Sequence, residues 1–173
     1  KFSDKDFKQK ASIAMKNTGK STLFAKLIVE GTPLIGDQSA AAKDLTLKVI
    51  YKNMKGIEIN PYQIKQGTDF VAEVSITNPG TKGFLREMAL IQIFPSGWEI
   101  HNTRMDEVSS NNSARYQDIR DDRVYSYYEL PANTTKTFVI QLNAAYLGRF
   151  YLPTIYSEAM YDNTINARQP GRW

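Results

Sequence analysis

From Leu45 to the C-terminus the hydrophobic residues recur mainly with a period of two. Leu45, Leu47, Val49 and Tyr51 alternate with Thr46, Lys48, Ile50 and Lys52, and Phe70, Ala72, Val74 and Ile76 alternate with Asp69, Val71, Glu73, Ser75 and Thr77. Successive side chains of an extended chain point to opposite faces, so such alternation turns one face of each strand toward a core. Residues 88–94, 124–130 and 137–142 are further strand candidates, as is 150–160, which Pro153 interrupts because proline cannot donate to a ladder. Asn78-Pro79-Gly80, Pro95-Ser96-Gly97 and Pro131-Ala132-Asn133 supply turn chemistry between them. Short strands, turns of this kind and no convincing amphipathic helix predict an all-β fold, an antiparallel β-sandwich of immunoglobulin-like build.

Two segments depart from this regularity. Residues 33–44, PLIGDQSAAAKD, are small and polar and read as a linker or edge connection. The expected organisation is therefore a β-hairpin ending a preceding β region over residues 1–36, a linker over 37–44, and the sandwich over 45–173. The second irregular stretch, 99–122, is too long and too polar for a hairpin turn and is expected at the surface.

Residues 14–21, AMKNTGKS, fit a relaxed phosphate-loop spacing, with Ala14 in the place of the first glycine. That chemistry needs a strand before the glycine turn and a helix after it, whose N-terminus faces the phosphates. The following residues 22–30, TLFAKLIVE, are β-branched and aromatic, so Asn17-Thr18-Gly19 reads as a hairpin turn and the match as accidental.

Composition narrows the chemistry. With 173 residues, 42% hydrophobic and 23% charged, the chain has enough apolar material for a core without staples. It has no cysteine, which excludes a disulfide scaffold, a thiol nucleophile and a thiolate metal site. The net charge of +4 arises from 22 basic and 18 acidic residues that are interleaved, so no basic stripe points to nucleic acid. No apolar run approaches the roughly 18 residues of a membrane span. The chain opens at Lys1 rather than Met and is expected to be a fragment of a longer polypeptide.

Individual sites are weak. His101 is the only histidine and has no nucleophile elbow to support a triad, and one histidine without cysteine does not make a zinc site. Asp118, Asp121 and Asp122 are interspersed with Arg120 and Arg123, which favours a salt-bridged network over a calcium site. No metal and no cofactor are expected. Tyr125, Tyr127, Tyr128, Tyr156 and Tyr161 are candidates for an exposed platform or for cross-strand packing; Tyr125 and Tyr127 share one strand face, while Tyr128 lies opposite with Val124.

Six ordered segments carry a resemblance: 67–78 GTDFVAEVSITN, 89–100 ALIQIFPSGWEI, 118–124 DIRDDRV, 148–153 GRFYLP, 158–162 EAMYD and 167–171 ARQPG. In this order, over about residues 45–173, the chain resembles the C-terminal macroglobulin-like (MG10) domain of bacterial alpha-2-macroglobulins. Residues 1–32 resemble the end of the CUB-like region upstream of it. The resemblance implies a non-catalytic β-sandwich module of a large protease-trapping inhibitor, in which a bait region is cleaved and a Cys-Gln thioester captures the protease. It also implies packing against the thioester domain, where the parent has one, and an envelope location, periplasmic through a lipid anchor. Target proteases would be met through the parent, with no nucleic acid and no membrane insertion. Asp118, Arg120, Asp121, Asp122, Arg123 and Tyr161 are the expected interdomain contacts. The alternative is a carbohydrate-binding or adhesion sandwich marked by an exposed row of Tyr125, Tyr127 and Trp98; a hydrolase built around His101 is more remote.

Overall fold

The computed structural model describes residues 14–26, 40–101 and 114–173. The chain divides into two units, residues 1–34 and 35–173. In the first, residues 14–26 carry a bend over Gly19–Ser21 and neither strand nor helix. Asn17 organises the bend: its Oδ1 accepts from the Gly19 N–H at 2.9 Å and its Nδ2 donates to the Ser21 carbonyl at 2.7 Å. A glycine N–H that a phosphate loop would aim at its ligand is thus already occupied. The remainder of the expected hairpin lies outside the described residues.

The second unit is a sandwich of two antiparallel sheets. Ten strands are described: β1 (Ala41–Lys43), β2 (Thr46–Asn53), β3 (Asp69–Thr77), β4 (Leu85–Ile93), β5 (Glu99–Ile100), β6 (Tyr116–Ile119), β7 (Arg123–Leu130), β8 (Thr135–Asn143), β9 (Ile155–Ala159) and β10 (Asp162–Gln169). One sheet has the order β1-β10-β9-β4-β7-β6 and the other β2-β3-β8-β5. The alternation in β3 is obeyed strictly, since Phe70, Ala72, Val74 and Ile76 are all fully buried. In β7 it places Val124, Ser126, Tyr128 and Leu130 inside and Tyr125 and Tyr127 outside.

Several elements differ from the sequence-based expectation. Residues 41–43, placed in the linker, form an edge strand, because their backbone groups pair with residues 166–168 of β10. The stretch 99–122 contains β5 and β6, and its last part is a β-hairpin with β7; residues 102–113 lie outside the described residues. Of the candidate 150–160 only Ile155–Ala159 is a strand. β10, DNTINARQ, offers too few apolar residues to announce itself, yet it is paired on both sides by β1 and β9.

The three proline-containing turns share a further property. Residues 78–84 lead from β3 to β4, 94–98 from β4 to β5 and 131–134 from β7 to β8, and each passes from one sheet to the other. Asn78 holds the first crossing together. It is fully buried, donates to the Gly83 carbonyl at 2.7 Å and the Leu130 carbonyl at 3.0 Å, and accepts from the Gly80 N–H at 2.8 Å.

Between the sheets lie two adjoining clusters. One gathers Leu45, Val74, Ile76, Met88, Leu90, Tyr128, Leu130, Phe138 and Ile155; the other centres on Tyr51, Phe70, Phe94, Val124, Ile140 and Leu142. Each large apolar side chain removed from water contributes roughly 1.5–3 kcal/mol, which is how a chain without disulfides holds together. Tyr128 brings a hydroxyl into this core, and it is satisfied. Ser157 donates to the Ala89 carbonyl at 2.8 Å, so the Tyr128 hydroxyl, 2.7 Å from Ser157 Oγ, is the donor to it.

Candidate functional site

The expected contact residues fall at two places. β4 runs through the middle of the six-stranded sheet and gives the scale: Ile93 pairs with Arg123, and Met88 pairs with Ala159 just before Tyr161. Five residues of strand separate those positions, about 17 Å at 3.3–3.4 Å per residue. Asp118, Arg120, Asp121, Asp122 and Arg123 therefore sit at one end of the sheet and Tyr161 at the other. The structure does not bring the six together, because the β6–β7 and β9–β10 turns project from opposite ends of strands in one sheet.

The first place is the β6–β7 turn. The Arg120 N–H donates to the Arg123 carbonyl at 2.9 Å and the Phe94 N–H to the Asp122 carbonyl at 2.9 Å, which fix the turn to itself and to the end of β4. Arg120 Nε donates to Asp118 Oδ2 at 3.1 Å, and its guanidinium lies 5.7 Å over the Tyr125 ring. Arg123 grips Asp122 with two parallel bonds, Nε to Oδ1 at 2.8 Å and Nη2 to Oδ2 at 2.6 Å. The hydrogen bond from Arg123 is the main reason the Asp122 carboxyl is held below its ordinary range, and the same bond raises Arg123. Two of the three carboxylates are thus met by arginine within the turn, the arrangement of a braced hairpin.

The second place is the β9–β10 turn. Tyr161 is 87% exposed at its tip, flanked by Met160 and facing the same end as Phe84, which are also exposed. The Met160 N–H donates to the Glu87 carbonyl at 3.0 Å, tying the turn to a bulge in β4 where Glu87 adopts φ 49°. Asp162 Oδ1 accepts from the Thr164 N–H at 3.0 Å and its hydroxyl at 2.6 Å, and these bonds hold the Asp162 carboxyl low. Arg86 lies 5.5 Å over the Phe84 ring. A shallow depression of about 300 Å³ runs between Phe84, Tyr161 and Ile165. The backbone of this turn is well anchored while its aromatic side chain stands largely in solvent.

The outer face of the six-stranded sheet carries Tyr116, Tyr125, Tyr127 and Tyr156. Tyr116 and Tyr127 stack at 5.9 Å and 27° across β6 and β7. Tyr156 donates to Glu158 Oε2 at 2.7 Å; partial burial, then that hydrogen bond and the Glu158 charge, push its hydroxyl up to about 12. Trp98 does not join Tyr125 and Tyr127 in a row. It follows β4 toward the other sheet and packs edge-on to Phe70 at 4.9 Å and Tyr51 at 5.7 Å. His101 is exposed just beyond β5, its N–H donating to the Gln141 carbonyl at 2.9 Å. Among the described residues no three of His, Cys, Asp and Glu gather into a group able to hold a metal ion, and no helix is long and apolar enough to cross a membrane.

Sequence reasoning named Tyr161 but missed Phe84 and the bulge beneath it. The only local signal was an aromatic two residues after Lys82, in a stretch with no strand period. Its significance comes from β4 lying beside β9.

Comparison with known proteins agrees with this architecture. A family model described as the bacterial alpha-2-macroglobulin MG10 domain matches residues 45–163. An alpha-2-macroglobulin of Pasteurella multocida (strain Pm70) is 26% identical over 157 residues, covering 90% of this chain and 8% of the relative. Among solved structures, the native conformation of Escherichia coli alpha-2-macroglobulin superposes with a TM-score of 0.68 at 16% identity, over 78% of this chain and 9% of that one. The Escherichia coli protein activated by porcine elastase gives 0.69 at 15% identity, over 82% and 14%. The chain thus spans less than a tenth of the length of the Pasteurella relative and of the native Escherichia coli protein.

Proposed function

Since the chain belongs to the bacterial alpha-2-macroglobulin MG10 domain family, we propose that it is a non-catalytic interaction module of a protease-trapping parent. In this reading it packs through its β9–β10 turn against a neighbouring domain, the thioester domain where the parent has one. The observation that carries the reading is Tyr161, which stands 87% exposed beside Met160 and Phe84 on a backbone that is firmly tied down. Rigidly presented aromatic and methionine side chains are what protein interfaces are enriched in. The β6–β7 turn takes the other role considered for it: its arginine–aspartate pairs brace a hairpin. The row of Tyr125, Tyr127 and Trp98 that would mark the carbohydrate-binding alternative is not formed, because Trp98 packs on Phe70 and Tyr51 instead. A parent of this family is proposed to act in the bacterial cell envelope, which fractionation of the source cells would test.

Hydrogen exchange tests the packing. Amides of residues 158–162 are to be followed in the isolated chain, in the intact parent, and in the parent after protease cleavage. The expected outcome is slower exchange in the intact parent than in the isolated chain, with the protection changing on cleavage. Equal rates in the isolated chain and the intact parent would sink the proposal.

A further inference from the structure

At one pole of the sandwich the loops joining β2 to β3, β4 to β5 and β8 to β9 meet Trp173 around a groove of about 420 Å³. This is the pole away from Tyr161, at the Asp69 end of β3 and the Ile93 end of β4. Five rings form its walls: Tyr62, Trp98, Tyr146, Phe150 and Trp173. Four are held by contacts of their own. Trp98 is fixed edge-on by Phe70 and Tyr51. Phe150 occupies the space that a Cβ on Gly97 or on Gly148 would need, so those glycines are the floor on which it rests. Tyr146 donates from its hydroxyl to Glu99 Oε1 at 3.2 Å and from its N–H to the Gly97 carbonyl at 3.1 Å. Trp173 leans on Tyr151 at 5.5 Å, with the Arg149 guanidinium 5.4 Å over its face.

Two chemical facts define what fits. Pro61 and Pro95 add apolar edges, and among the described residues no Asp, Asn, Glu or Gln lines the groove. A pyranose carries hydroxyls around its rim and loses affinity where they go unmet, and among the described lining residues no side-chain carboxylate or amide accepts from them. A polyproline helix has no N–H on its prolines, keeps its backbone solvated, and docks on rows of aromatic rings. The second fact is Arg149. Its guanidinium makes the ring contact with Trp173 and, among the described residues, meets no carboxylate. It leaves a charge-assisted donor at the groove wall.

We propose that this groove binds an extended, proline-bearing segment carrying a carboxylate, and that the segment belongs to the same parent polypeptide. The second clause rests on the reading of the chain as a module of a larger protein. The Pasteurella relative extends more than tenfold beyond the matched region. A tethered segment needs little intrinsic affinity, because linkage raises its local concentration to the order of millimolar.

The test uses the 173-residue chain and follows the indole N–H signals of Trp98 and Trp173 by NMR. The probe is the capped peptide acetyl-Pro-Pro-Pro-Pro-Glu-amide; the controls are its Lys analogue and cellohexaose. The Glu peptide is expected to shift both signals saturably. Exchanging Glu for Lys, or making Arg149→Glu at an exposed position, should weaken binding about tenfold, and the Arg149→Glu chain should recover with the Lys peptide. No shift at millimolar Glu peptide, equal affinity for the two peptides, or a stronger response to cellohexaose would overturn the groove's assignment. The source is tested with p-benzoylphenylalanine at Tyr146 in the full-length parent. A cross-link within one chain supports the proposal, and a cross-link only to a separate protein overturns its second clause. A silent groove would leave the exchange behaviour at Tyr161 unaffected, so failure here and failure of the packing role are distinguishable.

Discussion

Gln92 offers the sharpest test of how this core is assembled. It lies in the middle of β4, paired with Val124 of β7 on one side and Ile155 of β9 on the other, and is fully buried. Val124 and Ile155 belong to the two different apolar clusters, so the side chain falls at the seam between them. Among the described residues neither Oε1 nor Nε2 has a hydrogen-bond partner. An amide stripped of water and left unpaired costs about 1–3 kcal/mol. Gln92→Met keeps an unbranched chain of similar volume, removes that cost and leaves the strand's backbone ladder intact. The variant is expected to be more stable by about 1–3 kcal/mol, the whole of the desolvation penalty, with any misfit of the thioether subtracting from it. Urea unfolding monitored by tryptophan fluorescence reads this directly, as a higher midpoint with an unchanged slope. A loss of about 1 kcal/mol or more with the slope unchanged would refute the reasoning, since it would mean that the amide is satisfied in the folded protein.

Three further outcomes follow from the same contacts. Asn78→Ala deletes three hydrogen bonds at a buried sheet crossing and should cost about 3 kcal/mol by the same unfolding assay, at roughly 1 kcal/mol for each bond; a loss below about 1 kcal/mol would show that the crossing is held by other contacts. Gly97→Ala drives a methyl group into the Phe150 ring and should destabilise by about 1–3 kcal/mol, with the Trp98 indole signal displaced; an unchanged spectrum and midpoint would contradict it. Burial raises the hydroxyls of Tyr51 and Tyr128 above their ordinary value. Their contribution is therefore complete below the unfolded pKa of about 10 and is lost as the pH rises from there toward the folded value, at about 1.4 kcal/mol per pH unit for each tyrosine. Stability should hold up to about pH 10 and fall with that slope from there to about pH 11.5, and Tyr51→Phe should flatten the fall by one tyrosine's share; an unaltered slope in the variant would exclude Tyr51 as a source.

Much of the all-β character was decided by sequence alone. Alternation in β3 predicts its four buried residues, Phe70, Ala72, Val74 and Ile76, because the period of an extended chain is a property of the backbone and needs no partner. The ion pairs of Asp118–Arg123 were legible too, since arginines set between aspartates in a short turn lie within reach of them. Six ordered segments were enough to place the chain in its family, a placement the match over residues 45–163 supports.

What only the tertiary structure decided is which elements become neighbours. The chemistry of Asn78-Pro79-Gly80 sets local dihedral angles and says that the chain turns; it does not say that the turn leaves one sheet for the other, which depends on where each strand finds a free edge and an apolar face to cover. β10 shows the same dependence, for its polar sequence becomes a strand only because β1 and β9 take up both rows of its backbone groups. The separation of Tyr161 from Asp118–Arg123 is of this kind. Residue type suggests an interface, but register along β4 puts the two turns at opposite ends of the sheet, and register is set by the burial of whole strand faces rather than by any residue in the turns themselves.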